Sequence, residues 1–171
     1  MHAIRTPAQA VPKLARIFVP LMIATLATAS VVLATPGTGI ATTNISVGLF
    51  EPIDVKTHVD GHKVSIDTKG PSDVYVVSNV IAPGGQTGWH THPGPSLITV
   101  KSGTITAYDG DDPDCTPTVY TAGTGFVDAG DGHVHVLRNE GTVAAETIAV
   151  QLLPRGAARR IDVPDPGNCP F

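Results

Sequence analysis

The feature that most limits how this chain can fold is its punctuation. From residue 46 to residue 153, short β-branched and aromatic segments alternate with breaks that contain Gly, Pro, Asp or Asn. Val, Ile, Thr and Tyr suit a pleated, half-buried surface, and each of the four break residues supplies a backbone geometry that tight turns need. Candidate strands are Val64–Ile66, Asp73–Ala82, Thr87–His92, Ser96–Lys101, Thr104–Tyr108, Pro117–Thr121, Gly125–Asp128, His133–Arg138 and Ala144–Leu153. No segment after residue 34 sustains a 3.6-residue apolar period, so a helical bundle is excluded. With 171 residues, 18 Gly and 15 Pro, and only 15% charged residues, the chain reads as one all-β domain, an antiparallel sandwich or barrel.

The two ends read differently. Arg5, Lys13 and Arg16 precede an uncharged run from Ile17 to Ala34 that closes on small residues, at Ala27-Thr28-Ala29 or Val32-Leu33-Ala34. A positive flank, an apolar core and a small-residue site form a secretory signal, so residues 1–34 are expected to direct export. The other reading is a membrane anchor formed by residues 17–34, and membrane contact follows only if that segment is retained. Residues 35–45 are small and polar and read as a linker, residues 46–153 as the barrel, and residues 154–171 as a tail draped on it.

Net charge is −4, and without the front segment eight basic groups face fifteen acidic ones. Such a balance argues against a nucleic-acid partner. The only cysteines are Cys115 and Cys169, both in Pro-flanked loop sequence. In an oxidising compartment they most simply pair; two free thiols are the other reading. A bridge would pin the tail and close a loop of about 55 residues, worth roughly 4 kcal/mol in the chain-entropy model.

Six histidines follow the leader, and four of them form two His-x-His pairs, His90/His92 and His133/His135. Residues i and i+2 of a strand point to one face, so each pair aims two imidazoles in one direction. Neutral imidazole is a general ligand for transition metals, and a converging set with open positions is the usual form of a catalytic metal site.

At these residues the chain resembles the cupins. Gly84-Gly85-Gln86-Thr87-Gly88-Trp89-His90-Thr91-His92 followed by Gly103 matches the spacing of the first cupin motif. Gly132, His135 and Asn139 match the latter half of the second, with Gly130 at its Pro position and its opening Gly displaced by one residue. The likeness covers residues 73–153. It implies an antiparallel jelly-roll β-barrel and a divalent transition metal held by His90, His92 and His135, with His133 as the alternative to His135. Fe, Zn, Mn, Cu and Ni all accept such donors. One departure stands out: where the family pattern has Glu, this chain has Ser96, or Leu97 with a longer spacer, which implies a neutral, nitrogen-only ligand set.

The function that follows is an exported metal-binding cupin with dioxygenase-like or isomerase-like chemistry on a small organic molecule. The alternative is a non-catalytic module that binds a small ligand at the barrel mouth; a homodimer is one assembly open to either reading. Trp89 is expected to pack in the core and, with Thr91, to point away from the ligand face. The acidic run Asp109–Asp114 reads as a solvated turn, Arg155, Arg159 and Arg160 as exposed surface, and His58 and His62 as surface histidines.

Overall fold

The computed structural model describes residues 34–171, so residues 1–33 of the expected export segment lie outside them. Twelve strands follow in order: β1 Thr38–Phe50, β2 Asp54–Val59, β3 His62–Asp67, β4 Ser72–Gln86, β5 His90–Thr91, β6 Ser96–Ser102, β7 Thr104–Asp109, β8 Thr118–Thr121, β9 Gly125–Asp128, β10 His135–Arg138, β11 Ala145–Pro154 and β12 Ile161–Asp162. Among the described residues no helix is long and apolar enough to cross a membrane.

All ladders are antiparallel. One face is built in the order β1-β4-β11-β6-β9 and the other in the order β12-β5-β10-β7-β8. The two join where Gln86, the last residue of β4, pairs with Arg138 of β10. This is the jelly-roll barrel expected from the sequence. Strand β4 passes through Pro83-Gly84-Gly85 rather than stopping before it. Gly84 takes φ 74°, and its N–H and the carbonyl of Gly85 both bond to the backbone of Asn139. The expected turn is therefore a corner at which one strand crosses between sheets.

Alternation along the strands fills the barrel. On β6, Ser96, Ile98 and Val100 are buried while Leu97 and Thr99 face solvent, as a half-buried strand requires. Ile81, Val100, Ile105, Leu137 and Ala145 form the main core; Val77, Ile98 and Ala149 extend it towards the site. Trp89 packs with Tyr108 and Val136, the packing role expected for it. Gly103 joins β6 to β7 at φ 73°, and a Cβ there would stand 2.8 Å from Cα of Ala145. Glycine is the residue that fits both constraints.

Two expectations are corrected. Residues 38–45 are not a linker: they open β1, which pairs with β4 from Thr38↔Gln86 to Phe50↔Ser72. As an edge strand exposed along most of its length, β1 has no need of the apolar alternation that marks a core strand. The tail is also more than draped. Ile161 and Asp162 pair with Thr91 and His90, Val163 donates its N–H to Trp89 O, and Thr35 donates to Val163 O. Cys169 then closes a disulfide to Cys115. The hairpin β2–β3 projects with His58 and His62 exposed on it.

Candidate metal centre

The short strand β5 delivers His90, the residue after it is His92, and β10 begins at His135, which pairs directly with His90. This register brings three imidazoles together. Ring centroids lie 4.3 Å apart for His90–His135, 4.9 Å for His90–His92 and 5.6 Å for His92–His135. One ring nitrogen from each lies within 4.8 Å of the others, and all three residues are buried.

Backbone acceptors fix two of the tautomers. Nδ1 of His90 lies 2.8 Å from the carbonyl oxygen of Gly88, and Nδ1 of His92 lies 2.7 Å from that of Arg159. Carbonyls only accept, so both Nδ1 atoms carry the proton and both Nε2 atoms keep a lone pair for the cluster. Gln151 Nε2 also approaches His92 Nδ1, at 3.2 Å. That nitrogen has already given its proton to Arg159, and the Gln151 amide donates to Ser96 Oγ instead. Burial, reinforced by the neighbouring histidines and Arg160, drives the His90 pKa far below its ordinary value. Burial also lowers His92 and pushes His135 down to about 4, against the opposing pull of Asp128. Three neutral imidazoles are what a metal-binding set requires.

His135, not His133, completes this trio. His133 lies in the turn before β10, and its side chain is 36% exposed. Its Nδ1 contacts Asp128 Oδ1 at 3.1 Å, and its Nε2 lies 3.4 Å from Asp109. Asp128, His133 and His135 form a second convergent group.

The expectation of a nitrogen-only environment is also corrected. Ser96 is buried and takes a hydrogen bond from Gln151, but the carboxylate of Asp128 lies beside the trio. Its Oδ2 is 3.9 Å from His92 Nε2, and its Oδ1 is 3.7 Å from His135 Nδ1. Sequence reasoning missed Asp128 because cross-strand register brings it in: Asp128 on β9 is the direct partner of Ser96 on β6.

Arg159 and Arg160 are a further correction. Arg155 is exposed and paired with Glu51, but Arg159 and Arg160 line the cavity above the histidines. Pairing of β12 with β5 turns that part of the tail inward. Arg159 donates to Gln151 Oε1, while Arg160 pairs with Asp162 and donates to Thr87 O. The cavity has a volume of about 50 Å³, and among the described residues no Asp or Glu lines it. A wider hollow of about 290 Å³ reaches His135 from the side of Asp128, Tyr120 and Phe126.

The residues present fit a metal ion by a test independent of any likeness. His135 Nδ1 and Asp128 Oδ2 are buried with no hydrogen-bond partner. Orphaned polar atoms of that kind are costly unless something meets them.

Comparisons with known proteins agree with this architecture. The family model described as "Cupin domain" matches residues 79–151. The chain is similar to a protein with a double-stranded β-helix domain from Klebsiella pneumoniae, with 24% identity, coverage of 66% of this chain and 84% of that one, and a TM-score of 0.45. It is similar to the cupin domain of an XRE-family transcriptional regulator from Enterobacter cloacae, with 21% identity, coverage of 48% and 83%, and a TM-score of 0.40. It is also similar to the polyketide cyclase RemF from Streptomyces resistomycificus, with 14% identity, coverage of 79% and 81%, and a TM-score of 0.50. No curated protein matches the sequence significantly. The matched segment spans both histidine strands and agrees with the jelly-roll topology, so residues 79–151 form a cupin domain.

Proposed function

We propose that His90, His92 and His135 hold one divalent transition metal, and that the site receives a small anionic organic molecule such as a carboxylate. The observation that carries this reading is the convergence of three buried, neutral imidazoles, two of them with Nε2 freed by backbone acceptors. A metal bound there would supply Lewis acidity or an O₂-binding centre, consistent with dioxygenase-like or isomerase-like chemistry.

The chain's own residues would do the rest. Arg159 is half-buried, makes no ion pair with a carboxylate among the described residues, and has its pKa lowered first by burial and then by Arg160. A guanidinium so placed, in a cavity without acidic lining, attracts a negative group and can grip it bidentately. Thr147 Oγ1, buried at the cavity wall without a partner, offers one further polar contact. The cavity volume suits a few waters or a ligand of a handful of heavy atoms. The Cys115–Cys169 bridge supports an exported protein.

The reading is tested by titrating metal-depleted protein with Co²⁺ and following its visible absorption. Wild type should show a ligand-field spectrum that small carboxylates such as acetate and oxalate perturb. Arg159→Met should keep the spectrum and lose that response. Absence of any Co²⁺ spectrum in wild type would overturn the metal site. Undiminished acid binding to metal-free protein would instead identify a non-catalytic ligand-binding cupin.

A further inference from the structure

We propose that Asp128, His133 and His135 form a second divalent-cation site, separate from the trio and opening on the wider hollow. One potential ligand atom from each of the three lies within 4.8 Å of the others. Nδ1 of His133 stands 3.1 Å from Asp128 Oδ1, and Nδ1 of His135 stands 3.7 Å from the same oxygen. Separations of that size suit donors that share one ion at metal–ligand distances of about 2.0–2.2 Å. His90 and His92 take no part, and His135 alone belongs to both convergent groups.

Three observations point to an ion at this place. Asp128 is 3% exposed, and a carboxylate buried so deeply needs a compensating positive charge. Nδ1 of His135 is buried beside it with no hydrogen-bond partner. Asp109 stands on the far side of His133, its Oδ1 3.4 Å from Nε2. A carboxylate behind a histidine is the usual arrangement at metal sites, where it takes the outer N–H and turns the other nitrogen towards the ion. Here that other nitrogen is Nδ1, which faces Asp128. Gly130 donates its N–H to Asp128 Oδ1, which steadies the carboxylate and leaves it a further lone pair. Two imidazoles and one carboxylate, with space for a fourth ligand, match a zinc set of three protein donors. The hollow of about 290 Å³, which Asp109, Asp128, His133 and His135 all line, supplies that space. The His133 side chain is 36% exposed, so an ion held here exchanges with solvent more readily than one held by the buried trio.

Calorimetric titration of metal-depleted full-length protein with Zn²⁺ separates the two sites. Wild type should show two binding events, and dialysis should strip the second ion while the trio keeps its own. His133→Gln should remove the second event and leave the first unchanged; this partly exposed side chain in the turn before β10 can be replaced without opening the core. Asp109→Asn should weaken the second event roughly 10–100-fold and spare the first. His90→Ala/His92→Ala should do the reverse, losing the first event and keeping the second. A single event in wild type, unaffected by His133→Gln, would overturn the proposal, and is the result expected if His133 is an imidazolium paired with both aspartates. A second event that survives His133→Gln would also overturn it, placing that ion elsewhere, as on His58 or His62. An event that depends on His133, with none that depends on His90 and His92, would sustain this site and overturn the trio instead. Absence of any event would overturn both.

Discussion

His92 donates its Nδ1 proton to the carbonyl oxygen of Arg159, a 2.7 Å bond that spans 67 residues of sequence. It ties the tail to the centre of the barrel. The tail is held in turn by β12 pairing with β5 and by the bridge from Cys169 to Cys115. Orientation of a buried histidine of the trio and integrity of a distant disulfide are thus one mechanical problem.

Cys115→Ser should therefore affect both stability and the site. Loss of a cross-link spanning 54 residues costs roughly 4 kcal/mol in the chain-entropy model. Looser tethering of Arg159 should also weaken metal binding, because the carbonyl that sets the His92 tautomer is no longer fixed. Denaturant unfolding and metal titration of the variant measure the two effects. Lower stability with unchanged metal affinity would show that β12 alone positions Arg159.

Acid should destabilise the metal-free protein, and the sign follows from the histidines. Above pH 6.5 they are neutral in both folded and unfolded chains and contribute no slope. Below it the unfolded chain takes up protons, while buried His90 and His92 resist, and His135 does not protonate until about pH 4. The unfolded state then binds more protons, so stability falls as pH drops from 6.5 towards 4. Thermal melting across that range checks it. A His90→Gln/His135→Gln variant should show a shallower fall, and equal slopes would contradict the account.

Gly88 is expected to be irreplaceable where Gly84 is not. Both have positive φ, 72° and 74°, so alanine costs each about 1–2 kcal/mol in backbone strain. At Gly88 a Cβ would also run into the backbone of Thr35, Pro36 and Gly37, whereas at Gly84 it meets open space. Gly88→Ala should lose clearly more stability than Gly84→Ala, with metal affinity falling too because Gly88 O holds His90. Equal melting temperatures would contradict the packing described here.

Asn139 closes the second motif for structural reasons. Its side-chain amide donates to Ile81 O and Val143 O, and its Oδ1 accepts from Gly141 N. Asn139→Ala leaves buried backbone groups unpaired and should cost roughly 2–3 kcal/mol. The loss should appear in chemical denaturation, with Zn²⁺ stoichiometry preserved in the folded variant.

How much of this was legible in the sequence depends on what each residue answers to. Ser96, Ile98 and Val100 alternate because the core demands it, so β6 could be read. The pairs containing His90 and His135 could be read because local spacing puts them on one face. Thr38–Asn44 in β1 could not, since an exposed edge strand bonds through its backbone and leaves composition free. Asp128 and Arg159 were hidden for another reason. Their roles come from partners across a ladder, Ser96 for one and the β5–β12 pairing for the other, and no linear pattern encodes that register.

The central claim is tested most directly by elemental analysis of the purified protein. The account predicts close to one transition-metal ion per chain in wild type, and near-complete loss in His90→Ala/His92→Ala, with folding verified by circular dichroism. A substoichiometric content in wild type, unchanged in the double variant, would contradict it.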